Sequence, residues 1–111
     1  PIFDTEVREF HLAPQIAPEQ GLPYHEWFIE FDRPPANMDA FRLKLDAVLQ
    51  SKNPYYKDLI TGNVLKPLVV TPVKKEGFLH MMKSKGKLGG QNKIPRLAND
   101  RNLAELLEKY C

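Results

Sequence analysis

Gly86, Gly89 and Gly90 lie close together, and Lys85, Lys87, Lys93 and Arg96 surround them. Glycine reaches positive φ without steric cost and lets backbone N–H groups come close to a ligand. Such groups beside cations suit the oxygens of a phosphate or carboxylate. Pro95 stiffens the chain behind them and biases Ile94 towards extended backbone, so Lys93 sits between a permissive stretch and a fixed one. The G-x-x-x-x-G-K-S/T spacing of a P-loop is absent. Net charge is only +2, too small by itself to imply a nucleic-acid partner. Its distribution is more informative. No Asp or Glu occurs between Gly77 and Asn99, yet Lys83, Lys85, Lys87, Lys93 and Arg96 all fall there. On composition alone, the favoured reading is a solvated basic loop after a helix C-terminus, where lysines complement the helix dipole.

The elements that must position this loop follow from periodicity and punctuation. Residues 5–13, with Val7, Phe10 and Leu12, read as a strand that stops at Pro14. Residues 14–23 hold Pro14, Pro18, Gly21 and Pro23 and read as a loop. The run His25 to Phe31 is the clearest strand: Trp27, Ile29 and Phe31 share one face, while Glu26 and Glu30 mark a solvated one. Asn37 is an expected N-cap for a helix carrying Met38, Phe41, Leu45, Val48 and Leu49 inward, with Asp39, Arg42, Asp46 and Gln50 outward. Asn53-Pro54 starts a short helix that stops at Gly62. Leu68 to Val73 is a third strand, and Pro72 predicts an edge there. Residues 76–85 form a helix with Phe78, Met81 and Met82 inward, ending at Gly86; Asn99 or Asp100 caps a last helix with Leu103, Leu106, Leu107 and Tyr110 inward. The order predicts an α+β domain, a small three- to four-stranded sheet with helices packed on it.

At 111 residues the chain fits one domain, which at this size buries roughly two-thirds of its unfolded surface. Apolar residues at 42% and charged residues at 27% exclude a disordered composition. No apolar run is long enough to cross a bilayer, so no membrane partner is expected. The single cysteine, Cys111, cannot form an intrachain disulfide, and a reducing cytoplasm is the expected setting. His11 and His80 lack the spacing of metal ligands and read as structural; no metal site is expected. His25, at a strand start, is a surface or cap residue or else lines an interdomain cleft.

The segment Gly90-Gln91-Asn92-Lys93-Ile94-Pro95-Arg96 resembles a G-Q-x-K-x-P-R signature near the C-terminus of the Gretchen Hagen family, the auxin-responsive acyl acid–amido synthetases. Bacterial members of that family look closer still, from Met82 to Gln91 and on through Leu97-Ala98-Asn99-Asp100-Arg101. Pro23-Tyr24-His25, ahead of an aromatic strand ending Glu30-Phe31, is similar to the family's P-G-H segment. Pro67-Leu68-Val69-Val70 precedes Gly77-Phe78 as the family's last strand precedes its G-T-F turn. Two positions depart from the pattern. Asn92 stands where Tyr, Phe or His is usual, and Tyr24 replaces glycine, which bears on acceptor choice.

The resemblance implies that residues 1–111 are one C-terminal lid domain, with a large N-terminal domain holding ATP, its Mg2+ and the acid outside this sequence. ATP and a carboxylic acid would give an acyl-adenylate and pyrophosphate, and an amino acid's amine would then form an amide. Lys93 occupies the position of the family's catalytic lysine; Gly89, Gly90, Gln91 and Arg96 flank it as nucleotide- or phosphate-binding candidates. From residue type alone Arg96 suits a phosphate or an acidic helix equally. Negative charge shifts onto the leaving pyrophosphate, and one cation at 4 Å is worth roughly 1 kcal/mol in water and about 4 at an effective dielectric of 20. A closing lid is therefore the expected device. Two other classes compete: a small nucleic-acid-binding module stacking bases on Trp27, Phe28 and Phe31, and a protein-interaction module. The first predicts salt-sensitive binding by the isolated domain.

Overall fold

The computed structural model describes residues 5–16, 21–84 and 95–111. In chain order they form β1 (Glu6–Gln15), β2 (Tyr24–Arg33), α1 (Met38–Lys52), α2 (Pro54–Thr61), β3 (Val69–Pro72), α3 (Gly77–Ser84) and α4 (Asn102–Leu107), which runs into a short 3-10 turn. The sheet has the order β1-β2-β3, so the α+β expectation holds with three strands. β1 and β2 pair antiparallel, Phe10 opposite Ile29 and His11 opposite Phe28. β2 and β3 pair parallel, from Glu26 opposite Val69 to Ile29 opposite Pro72. Parallel neighbours need a long crossover, and α1 with α2 supplies it.

Local chemistry accounts for the boundaries. The Asn37 side chain accepts the Ala40 N–H at 3.0 Å, and the Asn53 side chain accepts that of Tyr56 at 3.1 Å, with Pro54 in the first turn of α2. Each cap satisfies an N–H that the helix leaves without a partner. β1 continues past Ala13 through Pro14, which pairs with His25. Proline is tolerated there because β1 is an outer strand of the three-stranded sheet. Pro72 likewise lies on the edge strand β3, as expected. α4 begins at Asn102 with Arg101 at its N-cap and no capping side chain, so neither Asn99 nor Asp100 is the cap; the Asp100 carboxylate instead accepts the Asn102 N–H at 3.0 Å in the turn before it. The expected stop at Gly86 lies outside the described residues.

The sheet is covered on both faces. Phe28 packs with Ala13, Val73, Phe78, Met81, Met82, Ala104 and Leu107 on the face of α3 and α4. On the other face Phe31 meets Phe41 of α1 edge-to-face at 5.5 Å, and His25 stacks on Tyr56 of α2. The large buried side chains Phe28, Leu68, Met81 and Leu107 contribute about 1.5–3 kcal/mol each through burial.

This layering corrects the reading of β2 as half-solvated. Glu30 is 2% exposed and Glu26 is half-buried, because the central strand has helices over both its faces. Asp46, expected on the outer side of α1, is also buried. It accepts the Tyr56 hydroxyl, the Leu68 N–H at 3.2 Å and the Gln50 amide at 2.6 Å. A carboxylate can be buried when its oxygens are supplied with donors. Among the described residues, no helix is long and apolar enough to cross a membrane.

Candidate functional site

α3 leads into the glycine-rich basic segment, and its start is held tightly. Glu76 adopts φ +63, uncommon for a residue with a side chain. Both of the next turn's N–H groups find the Glu30 carboxylate: that of Glu76 at 2.8 Å and that of Phe78 at 3.3 Å. Gly77 is required by contact. A Cβ there would run into the Val73 side chain and lie 3.0 Å from the Tyr110 Cβ. Met81 and Met82 then bury the inner side of α3, fixing where Ser84 leaves the core.

Lys93, Gly89, Gly90 and Gln91 lie outside the described residues. The chain is described again from Pro95, and there it joins the outer edge of β1. Leu12 donates its N–H to the Arg96 carbonyl at 2.8 Å and accepts that of Ala98 at 3.0 Å, forming a parallel bridge between Leu12 and Leu97. The buried His11 ring lies beside this bridge, its Nδ1 2.6 Å from the Pro95 carbonyl oxygen. His11 is thus structural, as expected, and its partner borders the segment of interest.

Arg96 reaches neither an acidic helix nor another buried group. Its Nε lies 3.4 Å from a Glu9 carboxylate oxygen on β1, and its guanidinium sits 5.2 Å from the centre of the Phe10 ring. The side chain is 66% exposed, so most of its donors face solvent and are open to an anion. His25 is half-buried and stacked on Tyr56 at 5.8 Å, with its pKa lowered by burial. It faces α2, whereas Arg96 faces the outer edge of β1. His80 is exposed and stacks on Tyr110 at 6.3 Å. Among the described residues, no group of His, Cys, Asp and Glu is placed to hold a metal ion.

Sequence reasoning missed the buried polar contacts that set these positions. Arg101 of the loop before α4 donates to Glu26 at 2.9 Å and to the Pro14 carbonyl at 3.2 Å, while Thr71 donates to the other Glu26 oxygen at 2.5 Å. This ties the segment after Pro95 to all three strands. The available signal was a carboxylate, Glu30, within a run of apolar side chains on both sides. The aromatic side chains proposed to stack bases are not laid out as a platform: Phe28 is fully buried, and Trp27 and Phe31 are largely covered.

Residues 3–102 match the model of the GH3 family C-terminal domain. No curated protein matches the chain. Among solved structures, one described as GH3.15 acyl acid amido synthetase is similar over 96% of this chain, with a TM-score of 0.76 at 19% identity. The likeness takes up 20% of that structure's chain, so the present chain spans about a fifth of its length.

Proposed function

The chain belongs to the GH3 family as its C-terminal domain, and on that premise we propose that it is the lid of an ATP-dependent acyl-adenylating ligase. The enzyme would join a carboxylic acid to an amino acid through an acyl-adenylate, with the larger N-terminal domain as the lid's partner. One observation carries this reading. In the sequence, the family signature, Gly90 to Arg96, follows α3, whose start Glu30 holds, and runs into the β1 edge, where His11 and Leu12 hold Pro95 and Arg96. The name of the similar solved structure, an acyl acid amido synthetase, supports the same reaction class.

In this reading Lys93 is the catalytic residue. Its ammonium meets the phosphate oxygens where negative charge grows as pyrophosphate leaves, and exclusion of water on closure strengthens that contact. Gly89, Gly90 and Gln91 offer backbone and amide donors beside it, and Arg96, with its exposed guanidinium, offers a second cation. His25 is assigned to the interdomain cleft, supported only by its position at the entry to β2. Mg2+ would travel with ATP in the N-terminal domain. A cytoplasmic enzyme completes the reading, motivated by a chain with one cysteine.

The test is ATP–pyrophosphate exchange by the full-length enzyme over a panel of aromatic and aliphatic carboxylic acids. Wild type is expected to exchange with at least one acid, and Lys93→Ala to lose about 100- to 1000-fold of that rate, the scale for one electrostatic stabiliser. Exchange at the wild-type rate in Lys93→Ala removes Lys93 from the catalytic role. No exchange with any acid in the wild type removes the ligase reading.

A further inference from the structure

We propose that Glu9 is a positioning residue that aims the Arg96 guanidinium at phosphate oxygens, an inference that rests on the reading of Arg96 as a contact to ATP. The pairing of β1 with β2 shifts register between Val7, opposite Phe31, and Glu9, opposite Glu30. A bulge of this kind bends the strand and re-aims the side chains beside it. Glu9, just past the shift, serves the backbone of its own strand: its Oε1 accepts the N–H of Phe10 at 3.0 Å. The same oxygen lies 3.4 Å from Nε of Arg96, 87 residues further along the chain. A carboxylate tied to its own backbone is a fixed acceptor rather than a swinging one.

Phe10 holds the guanidinium from a second direction. Its ring centre is 5.2 Å from Cζ of Arg96, and the ring is itself stacked on Trp27 at 5.6 Å. The backbone of Arg96 is fixed as well, its carbonyl accepting the Leu12 N–H at 2.8 Å. With Nε directed at Glu9, the terminal nitrogens Nη1 and Nη2 have no hydrogen-bond partner among the described residues. They present a planar fork that suits two oxygens of one phosphate. A long side chain in water otherwise spreads over many rotamers, and ordering it weakens binding. Glu9 and Phe10 order this one before the ligand arrives. The carboxylate also has an opposing effect, because its negative charge repels phosphate oxygens. Positioning and charge therefore predict opposite signs for the loss of Glu9.

The test measures KM for ATP and kcat in ATP–pyrophosphate exchange by the full-length enzyme, with the best acid of the panel. Glu9→Ala removes both the hold and the charge, whereas Glu9→Gln keeps an acceptor oxygen and removes the charge alone. Glu9→Ala is expected to raise KM for ATP about 3- to 10-fold, the lower range of coupling between residues in contact, with kcat changed less than about twofold. Glu9→Gln should not raise KM. In an Arg96→Ala background, Glu9→Ala should add no further rise, since no guanidinium is left to aim. A variant that is merely less stable loses active enzyme, which lowers the apparent kcat and leaves KM in place.

A KM for ATP in Glu9→Ala that equals the wild-type value or lies below it overturns the inference, and Glu9 is then a cap on the strand edge or a charge alone. A rise in Glu9→Gln as large as in Glu9→Ala, or one that persists in the Arg96→Ala background, overturns it too, because the effect then does not pass through an acceptor on Arg96. Should Glu9→Ala not fold, Glu9→Thr, which suits a strand and cannot reach Arg96, decides in the same way. Arg96→Ala measured alone separates the two readings. A raised KM there beside an unchanged one in Glu9→Ala removes only the role of Glu9, whereas a wild-type KM in Arg96→Ala removes both. No exchange by the wild type removes the ligase reading and this inference with it.

Discussion

The Glu30 carboxylate, in the middle of the central strand, accepts the backbone N–H of Glu76 at 2.8 Å from 46 residues away. Its other oxygen accepts the N–H of Phe78 at 3.3 Å. A helix start is usually served by a side chain of its own segment; here the sheet serves it. The consequence is that α3 cannot shift without breaking a buried charged contact, and α3 is the element from which the basic segment departs.

Replacing Glu30 with leucine takes the acceptor from the buried Phe78 N–H and from the partly buried Glu76 N–H, beside a Glu76 backbone at positive φ. Stability should fall by about 2–4 kcal/mol, from lost charge-assisted bonds and orphaned donors. Glu30→Gln keeps one acceptor oxygen and should cost less. Urea denaturation midpoints of the two variants, compared at equal slope, measure the difference.

Gly77→Ala tests a contact of a different kind. The added Cβ would crowd Val73 and Tyr110, both fixed by the core, so overpacking should cost about 1–3 kcal/mol. A thermal melt should show the midpoint dropping by roughly 5–15 °C for a domain of this size. A midpoint unchanged from wild type would mean that the C-terminal turn moves away freely.

Tyr56 gives a pH signature. Burial first, and then the hydrogen bond and charge of Asp46, raise its hydroxyl pKa above the ordinary value of 10.0. The folded chain therefore keeps its proton where the unfolded chain begins to lose it. The resulting stability is complete below about pH 10 and declines as pH rises further. Tyr56→Phe should remove that decline and cost about 1–3 kcal/mol at neutral pH, since Asp46 loses a donor while remaining buried. Denaturation series at pH 7 and across the alkaline range would reveal it; an alkaline decline identical in Tyr56→Phe would assign the effect to another group.

Arg96→Ala should leave stability almost untouched, because its pair with Glu9 is exposed and such pairs contribute about 0–1 kcal/mol. Its effect belongs to ligand binding. In exchange assays of the full-length enzyme, KM for ATP is expected to rise about 10-fold, one charged contact's worth. An unchanged KM would leave Arg96 as a partner of Glu9 and Phe10 only.

α1 and α2 and their limits were legible in the sequence because their causes are local. Asn37, Asn53-Pro54 and Gly62 each act on residues within one turn, so the chain around them already specifies α1 and α2. The G-Q-x-K-x-P-R likeness around Lys93 was legible for a similar reason: it is a contiguous string. Tertiary structure decided which faces are covered. Period-two reading of β2 supposes one wet side, and it failed at Glu30 because α3 and α4 close one face while α1 and α2 close the other. Asp46 failed for the same reason, its donors arriving from Tyr56 and from Leu68, 22 residues away. The anchoring of Pro95 by His11 is the clearest case. Nothing near either residue announces the other, and only folding brings a ring of β1 against a carbonyl near the far end of the chain. Hydrogen bonds between segments distant in sequence depend on geometry that no local pattern encodes, and those bonds hold the described ends of the candidate site in place.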